Sequence, residues 1–88
     1  MSARYTRDAI NDLDQISSYL AKHDPAVAGA LLDAVELIVA RLARFPRSAQ
    51  ATEMRGVRAA PVQRYPYIVF YTVDGATSRF ITFAMLPG

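Results

Sequence analysis

The side chains in this sequence with chemistry to offer are arginine and tyrosine. Of its ten basic residues all but Lys22 are arginine, whose planar guanidinium makes paired hydrogen bonds to carboxylate or phosphate that a lysine ammonium does not match. Arg58 and Arg64 bracket the stretch AAPVQ, and at strand spacing they share parity and project from one face of a sheet. Tyr65, Tyr67 and Tyr71 follow closely. Arginines beside aromatic rings suit RNA, through phosphate contacts and base stacking. If the chain cuts RNA, then Arg58, Arg64 and Tyr71 are the residues available for it. The competing structural expectation is that Tyr67, Phe70, Tyr71 and Phe80 fill a core, the phenylalanines inside and the tyrosine hydroxyls at its rim.

Other chemistries fail on residue type. His23 stands between Lys22 and Asp24 with no base, nucleophile or orienting partner in reach of a recognisable motif, so it reads as a solvated turn residue. Ser17, Ser18, Ser48 and Ser78 lack a histidine partner, and no glycine-rich phosphate loop is present. One histidine and no cysteine cannot supply a nitrogen or sulfur metal set. Hydrolase, kinase and dehydrogenase mechanisms of the usual kinds are therefore excluded, and neither metal nor cofactor is expected.

The elements that must position these residues follow from periodicity. Thr6 is a good N-cap for a first helix, with Asp8 in its opening turn. Ala9, Ile10, Leu13, Ile16, Ser17 and Leu20 then share one face at 100° per residue. Asp24 and Pro25 restart the chain as N-cap and first helical position. A second helix carries Val27, Ala28, Leu31, Leu32, Val35, Ile38, Val39, Leu42 and Phe45 in one broad stripe and stops before Pro46. Two amphipathic helices so closely joined form an antiparallel hairpin. After FPRSAQATEMRG the period becomes strand-like. VRAAPVQ reads as a weak edge strand, because Pro61 cannot donate to a ladder. YIVFYTV is apolar on both faces and reads as a central strand. DGATS is a hairpin turn, RFITFAML the next strand, and SARYT a short extra one. The predicted fold is α+β: an N-terminal antiparallel helical hairpin packed on a small antiparallel β-sheet, in the order (β)ααβββ, as a single domain over residues 1–88.

Composition sets the remaining bounds. The absence of cysteine suits a reducing compartment, no apolar run reaches membrane-spanning length, and the opening MSARYTRD lacks a signal peptide's apolar core. A cytoplasmic location is expected. Residues 1–40 hold three bases against six acids, a net of −3, whereas residues 41–88 hold seven arginines against Glu53 and Asp74, a net of +5. The second half is thus suited to an anionic partner. Arg55, Arg58, Arg64 and Arg79, with Tyr65, are the candidate contacts there. On the helices, Leu37 points away from the apolar stripe and Tyr19 lies at its edge, and both are candidate interface residues.

In order along the chain, TRDAINDLDQISSYL, DPAVAGALLDAVELIVARLARFP, GVRAAPV and YPYIVFYTVDG resemble the ParE/RelE superfamily of bacterial type II toxins, over nearly the whole length. The resemblance implies a toxin neutralised by a co-expressed antitoxin whose acidic or amphipathic C-terminal segment wraps it. Such systems are associated with growth arrest and plasmid stabilisation. RelE-like members cut messenger RNA on the ribosome and often carry arginine where this chain has Ile68, whereas ParE-like members inhibit DNA gyrase and need no catalytic set. YPYIVFY is closer to the ParE form. The expectation is a gyrase-inhibiting toxin that is not an enzyme. The alternatives are a ribosome-dependent endoribonuclease and a non-toxic, antitoxin-binding relic. The last arises because relatives continue past their final strand with a Leu-His pair and a nearby arginine, while this sequence reads FAMLPG, with Pro87 at the histidine position.

Overall fold

The computed structural model describes residues 2–85. Strand β1 (Ser2–Tyr5) leads into helix α1 (Arg7–His23) and helix α2 (Pro25–Arg44). Strands β2 (Gln50–Ala51), β3 (Val57–Val62), β4 (Tyr67–Asp74) and β5 (Thr77–Met85) follow. The sheet order is β1-β5-β4-β3-β2, which makes YIVFYTV the central strand. β2, β3, β4 and β5 pair antiparallel with their neighbours, whereas β1 runs parallel to β5, so the sheet is mixed. The parallel pairing has a simple cause: β1 enters from the chain start and hands directly to α1, which returns along the sheet.

Both helix starts form at the residues whose side chains can satisfy free amides. The Thr6 hydroxyl accepts from the Ala9 amide at 3.1 Å and donates to the Ile81 carbonyl at 2.7 Å, so one side chain caps α1 and ties it to β5. Asp24 is the whole joint between the helices. Its amide donates to the Leu20 carbonyl at 2.6 Å, closing α1, and its carboxylate accepts from Ala26 and Val27, opening α2. A second tie joins α1 to the sheet: the Asp12 carboxylate accepts from the Thr82 hydroxyl and, at 3.2 Å, from the Phe83 amide.

The core lies between α2 and the helix-facing side of the sheet, centred on Leu31, Val35, Leu42, Val69, Tyr71 and Phe80. β4 alternates cleanly, with Tyr67, Val69 and Tyr71 buried under the helices and Ile68, Phe70 and Thr72 half-buried on the other face. Phe80 is therefore core as expected, whereas Phe70 belongs to the helix-free face. A register shift opposite Phe70 and Tyr71 lets β5 present both Phe80 and Phe83 inward. The β4–β5 connection is the two-residue turn Gly75-Ala76, with Gly75 alone at positive φ (61°), the geometry of a II′ hairpin.

Three residues of the predicted helical stripes are exposed. Ile10 and Leu32 are exposed because they flank β1, where the sheet ends and nothing lies beneath them. Phe45 is exposed beyond the last turn of α2, with the Arg44 guanidinium 5.6 Å from its ring centre. β2 is too short at two residues to leave a period in the sequence. It covers only Arg58 and Ala59 of β3, so Pro61 sits on an edge that is open at its own position. Leu86 to Gly88, including the Pro87 departure, lie outside the described residues.

Removing the carboxylate of Asp12 leaves the Thr82 hydroxyl and Phe83 amide without a partner. Asp12→Ala is expected to lower the unfolding free energy by about 1–3 kcal/mol in urea titrations. An unchanged midpoint would show that the α1–β5 tie carries no stability.

Candidate interaction groove between α2 and the β3–β4 turn

The candidate residues fall into separate places. Three of them, Leu37, Arg64 and Tyr65, meet in one groove of about 600 Å³ between the outer side of α2 and the β3–β4 turn. α2 supplies Ala30, Asp33, Ala34, Leu37, Ile38 and Arg41, and the turn side supplies Pro61, Gln63, Arg64 and Tyr65. The small side chains of Ala30 and Ala34 keep the helix wall low. Leu37 stands out of it, 75% exposed, far more than an interior leucine of an isolated domain needs to be. Arg41 lies one helical turn from Leu37, so a cation flanks the apolar residue on the α2 wall and Arg64 faces both from the turn.

Arg64 holds an unusual backbone. Val62 pairs with Tyr67, leaving the four-residue loop Gln63–Pro66, and Arg64 in that loop has φ 74°. It is the only described residue other than glycine at positive φ. The cost of this left-handed conformation for a side chain with a Cβ is of order 1 kcal/mol. The turn also breaks the parity expected between Arg58 and Arg64: Arg64 lies past the end of β3, so strand alternation does not reach it. That expectation is corrected.

Arg58 has a different task. Its guanidinium donates to the Ala49 carbonyl at 2.7 Å and the Arg47 carbonyl at 3.3 Å. Tyr71, opposite Arg58 in the β3–β4 ladder, donates its hydroxyl to the Pro46 carbonyl at 2.7 Å and is fully buried. Its hydroxyl is therefore inside the fold rather than at the rim. Burial raises the Tyr71 pKa above its ordinary value, against the Ala49 backbone and the charges of Arg58 and Arg41, which pull it down. The three residues that RNA cleavage would draw on thus do not form one cluster. Tyr67 to Tyr71 alone spans about 13 Å of strand, and Arg64 lies beyond Tyr67.

The other candidates lie apart from the groove. Arg55 is in the β2–β3 turn, which Gly56 closes at φ 80°. Arg79 is exposed on β5, opposite Arg4 of β1. Tyr19 is 61% exposed on α1, with its ring 4.6 Å from that of His23, which is exposed as expected but closes α1 rather than lying in the turn. The groove residues Asp33 and Gln63 had no signal in the sequence, since only the tertiary approach of α2 to the turn brings them in.

With this geometry in view, comparison with known proteins is decisive for the family. Residues 3–83 match the family described as ParE toxin of type II toxin-antitoxin system, parDE. The chain belongs to the ParE toxin family. It is a type II toxin–antitoxin toxin by that membership. It is 30% identical over 71 residues to "Putative toxin Y4kP" of Sinorhizobium fredii (strain NBRC 101917 / NGR234), covering 81% of this chain and 74% of that protein. It is also similar to a structure described as "Chromosomal ParDE TA system from P. aeruginosa", with a TM-score of 0.75, 26% identity, and 99% and 97% of the two chains covered. The isolated E. coli RelE toxin superposes with a TM-score of 0.68 over 98% of this chain and 84% of that one. At 10% identity that second likeness shows the shared fold alone. Among the described residues no helix is long and apolar enough to cross a membrane.

Two outcomes test these placements. Arg64→Gly should leave thermal stability within about 1 kcal/mol of the parent, because relief of the left-handed strain offsets the backbone freedom glycine gains when unfolded. A clear loss in melting experiments would mean the Arg64 side chain holds the turn. For Tyr71, a folded-state pKa above the unfolded value of 10.0 means stability is fully present below pH 10.0 and is lost as pH rises through the raised value. Tyr71→Phe should cost about 0.5–1.5 kcal/mol at neutral pH, by orphaning the Pro46 carbonyl. It should also flatten the alkaline fall of a pH–melting profile. A variant whose alkaline fall equals the parent's would assign that fall to other groups.

Proposed function

We propose that the chain is a ParE-type toxin that inhibits DNA gyrase and is neutralised by a cognate antitoxin. Membership of the ParE family carries this reading, since gyrase is the target that resemblance to the ParE branch implies. The site geometry is in keeping with it. Arg58, through Nη1, and Tyr71, through its hydroxyl, donate to main-chain carbonyls. What remains open at the groove is the composition of a protein-binding surface: an exposed leucine, a tyrosine and two arginines. Inhibition of this kind needs binding energy and no proton transfer, and Leu37, Arg41, Arg64 and Tyr65 are the proposed gyrase contacts. The P. aeruginosa relative is described as a ParDE system. By analogy the antitoxin would bring an acidic or amphipathic segment to the arginines of the second half that have free guanidinium groups, Arg55, Arg64 and Arg79 among them.

The test is a supercoiling assay with purified gyrase. Inhibition should rise with added toxin and be reversed by the antitoxin. Leu37→Asp together with Arg64→Ala should raise the toxin concentration needed by roughly tenfold or more, consistent with loss of two central contacts. Unchanged supercoiling at excess toxin overturns the reading. Cleavage of ribosome-bound message in a parallel assay would replace it with endoribonuclease activity.

A further inference from the structure

The outward face of α2 has a symmetry of its own. At helical spacing Ala30, Asp33, Leu37, Arg41 and Arg44 fall within one sector of about 80°, opposite the core-facing Leu31, Val35, Ile38 and Leu42. All five are exposed, Leu37 to 75%. Leu37 stands midway between an acid and a base, with Asp33 four residues before it and Arg41 four after. The two charges lie about 12 Å apart along the axis. Neither has an ion-pair partner among the described residues. Asp33 is also the one acid among the described residues that line the groove, where Arg41 and Arg64 are the cations.

Reversing the helix about Leu37 maps this pattern onto its complement. In an antiparallel pair of α2 helices centred there, Asp33 of each copy faces Arg41 of the other. Arg44 of each faces Ala30 of the other, whose small side chain leaves room for the arginine stem. The two Leu37 side chains meet on the two-fold axis.

We propose that this face of α2 pairs antiparallel with the same face of a second copy of the chain, and that the pairing closes the groove over Leu37, Arg41, Arg64 and Tyr65. The dimer is a resting state in which the proposed gyrase contacts are masked. The masking rests on the gyrase reading; the pairing does not. Charge order selects this occupant. A uniformly acidic segment gains at Arg41 and Arg64 but is repelled at Asp33, and so is a phosphate backbone. A helix with acid, leucine and base at four-residue spacing, run in reverse, satisfies the whole face, and α2 is such a helix. Parallel pairing sets Asp33 against Asp33 and Arg41 against Arg41, so the same charges fix direction. The paired stretch from Ala30 to Arg44 is about 21 Å long. One helix face of that length buries less than the roughly 800 Å² per partner of a standard interface, so the dimer is weak and parts on dilution. Its exposed ion pairs set register rather than strength.

Sedimentation equilibrium of the purified chain tests the pairing without gyrase. The parent should pass from monomer to dimer between micromolar and millimolar concentration. A chain that stays monomeric throughout overturns the proposal and leaves the groove to other partners. Asp33→Arg and Arg41→Asp should each weaken self-association by roughly tenfold or more, since each sets like charges opposite one another twice. Mixed in equal amounts, the two variants should associate as well as the parent does with itself, because every pair is again acid against base. A merely structural role for either residue gives no such rescue, and its absence overturns the antiparallel register. The chain has no cysteine, so Leu37→Cys places a single thiol at the axis. Helices packed about 8–10 Å apart bring facing Cα atoms within disulfide range. Oxidation with copper phenanthroline should link Leu37→Cys into a dimer far faster than Met54→Cys, a control position 69% exposed on the β2–β3 turn. Equal rates overturn the placement of the axis. The linked Leu37→Cys dimer should inhibit gyrase at least tenfold less than the same variant after reduction, and equal inhibition overturns the masking. A parent chain that dimerises with this charge rescue but never inhibits gyrase supports the pairing and retires the gyrase reading.

Discussion

The C-terminal end of α2 poses the constraint on which the rest of the structure depends. A helix leaves its last four carbonyls without internal partners, and here that end runs over the sheet into a loop whose own carbonyls also need donors. The sheet supplies them. The Ser78 hydroxyl, fully buried on β5, donates to the Leu42 carbonyl at 2.8 Å, and Tyr71 on β4 donates to Pro46. Arg58 on β3 donates to Arg47 and Ala49. Three consecutive strands thus hold one continuous stretch of main chain. A positive charge at that end also opposes the helix dipole's negative pole. Buried donors of this kind are costly to leave unpaired, so the helix cannot slide on the sheet without losing several bonds together.

That clamp fixes the groove. Leu37 and Arg41 lie on the last turns of α2, and their distance from the β3–β4 turn is set by where the helix end is pinned. Helix α1 is fixed by different means, through Thr6 and Asp12, which bond Ile81, Thr82 and Phe83 of β5. Both helices are therefore tied to the sheet by side-chain hydrogen bonds, with apolar packing beside them. A groove wall built this way keeps its shape without a bound partner, and preorganisation of that sort lowers the entropy lost on binding. The strain at Arg64 fits the same picture, since a left-handed arginine persists only where the surrounding ladder determines the turn.

Much of the architecture was legible in the residues because its causes are local. Thr6 and Asp24 cap helices by their own side chains, Pro46 ends one, and the two-sided apolar run of β4 requires a covered position. The candidate site was legible only in part. Leu37 betrays itself by leaving the apolar stripe, but the meeting of Leu37 with Arg64 and Tyr65 is a tertiary event with no spacing to reveal it. Arg58 and Tyr71 misled for a physical reason. A guanidinium or phenol that hydrogen-bonds a loop carbonyl is the same residue type, in the same strand context, as one that meets a ligand. What distinguishes them is the loop after α2, whose path the sequence does not specify.

Charge shows the same gap between chain and space. Along the sequence acidic residues predominate in the first half and arginines in the second. In the fold the division does not hold, because β1 from the acidic half pairs with β5 from the basic half and sets Arg4 against Arg79. Arg41 and Arg64, both of the basic half, come together at the groove across the clamp. Arg58, by contrast, is half-buried and its guanidinium holds the loop. A net charge of +2 is too small for long-range steering to dominate. What the arginines confer is local: at the groove, two cations beside an exposed leucine. That surface is incomplete alone, since it leaves Leu37 in water. A partner that covers it removes a defect of the free chain, and this links the toxin's marginal surface features to the binding they invite.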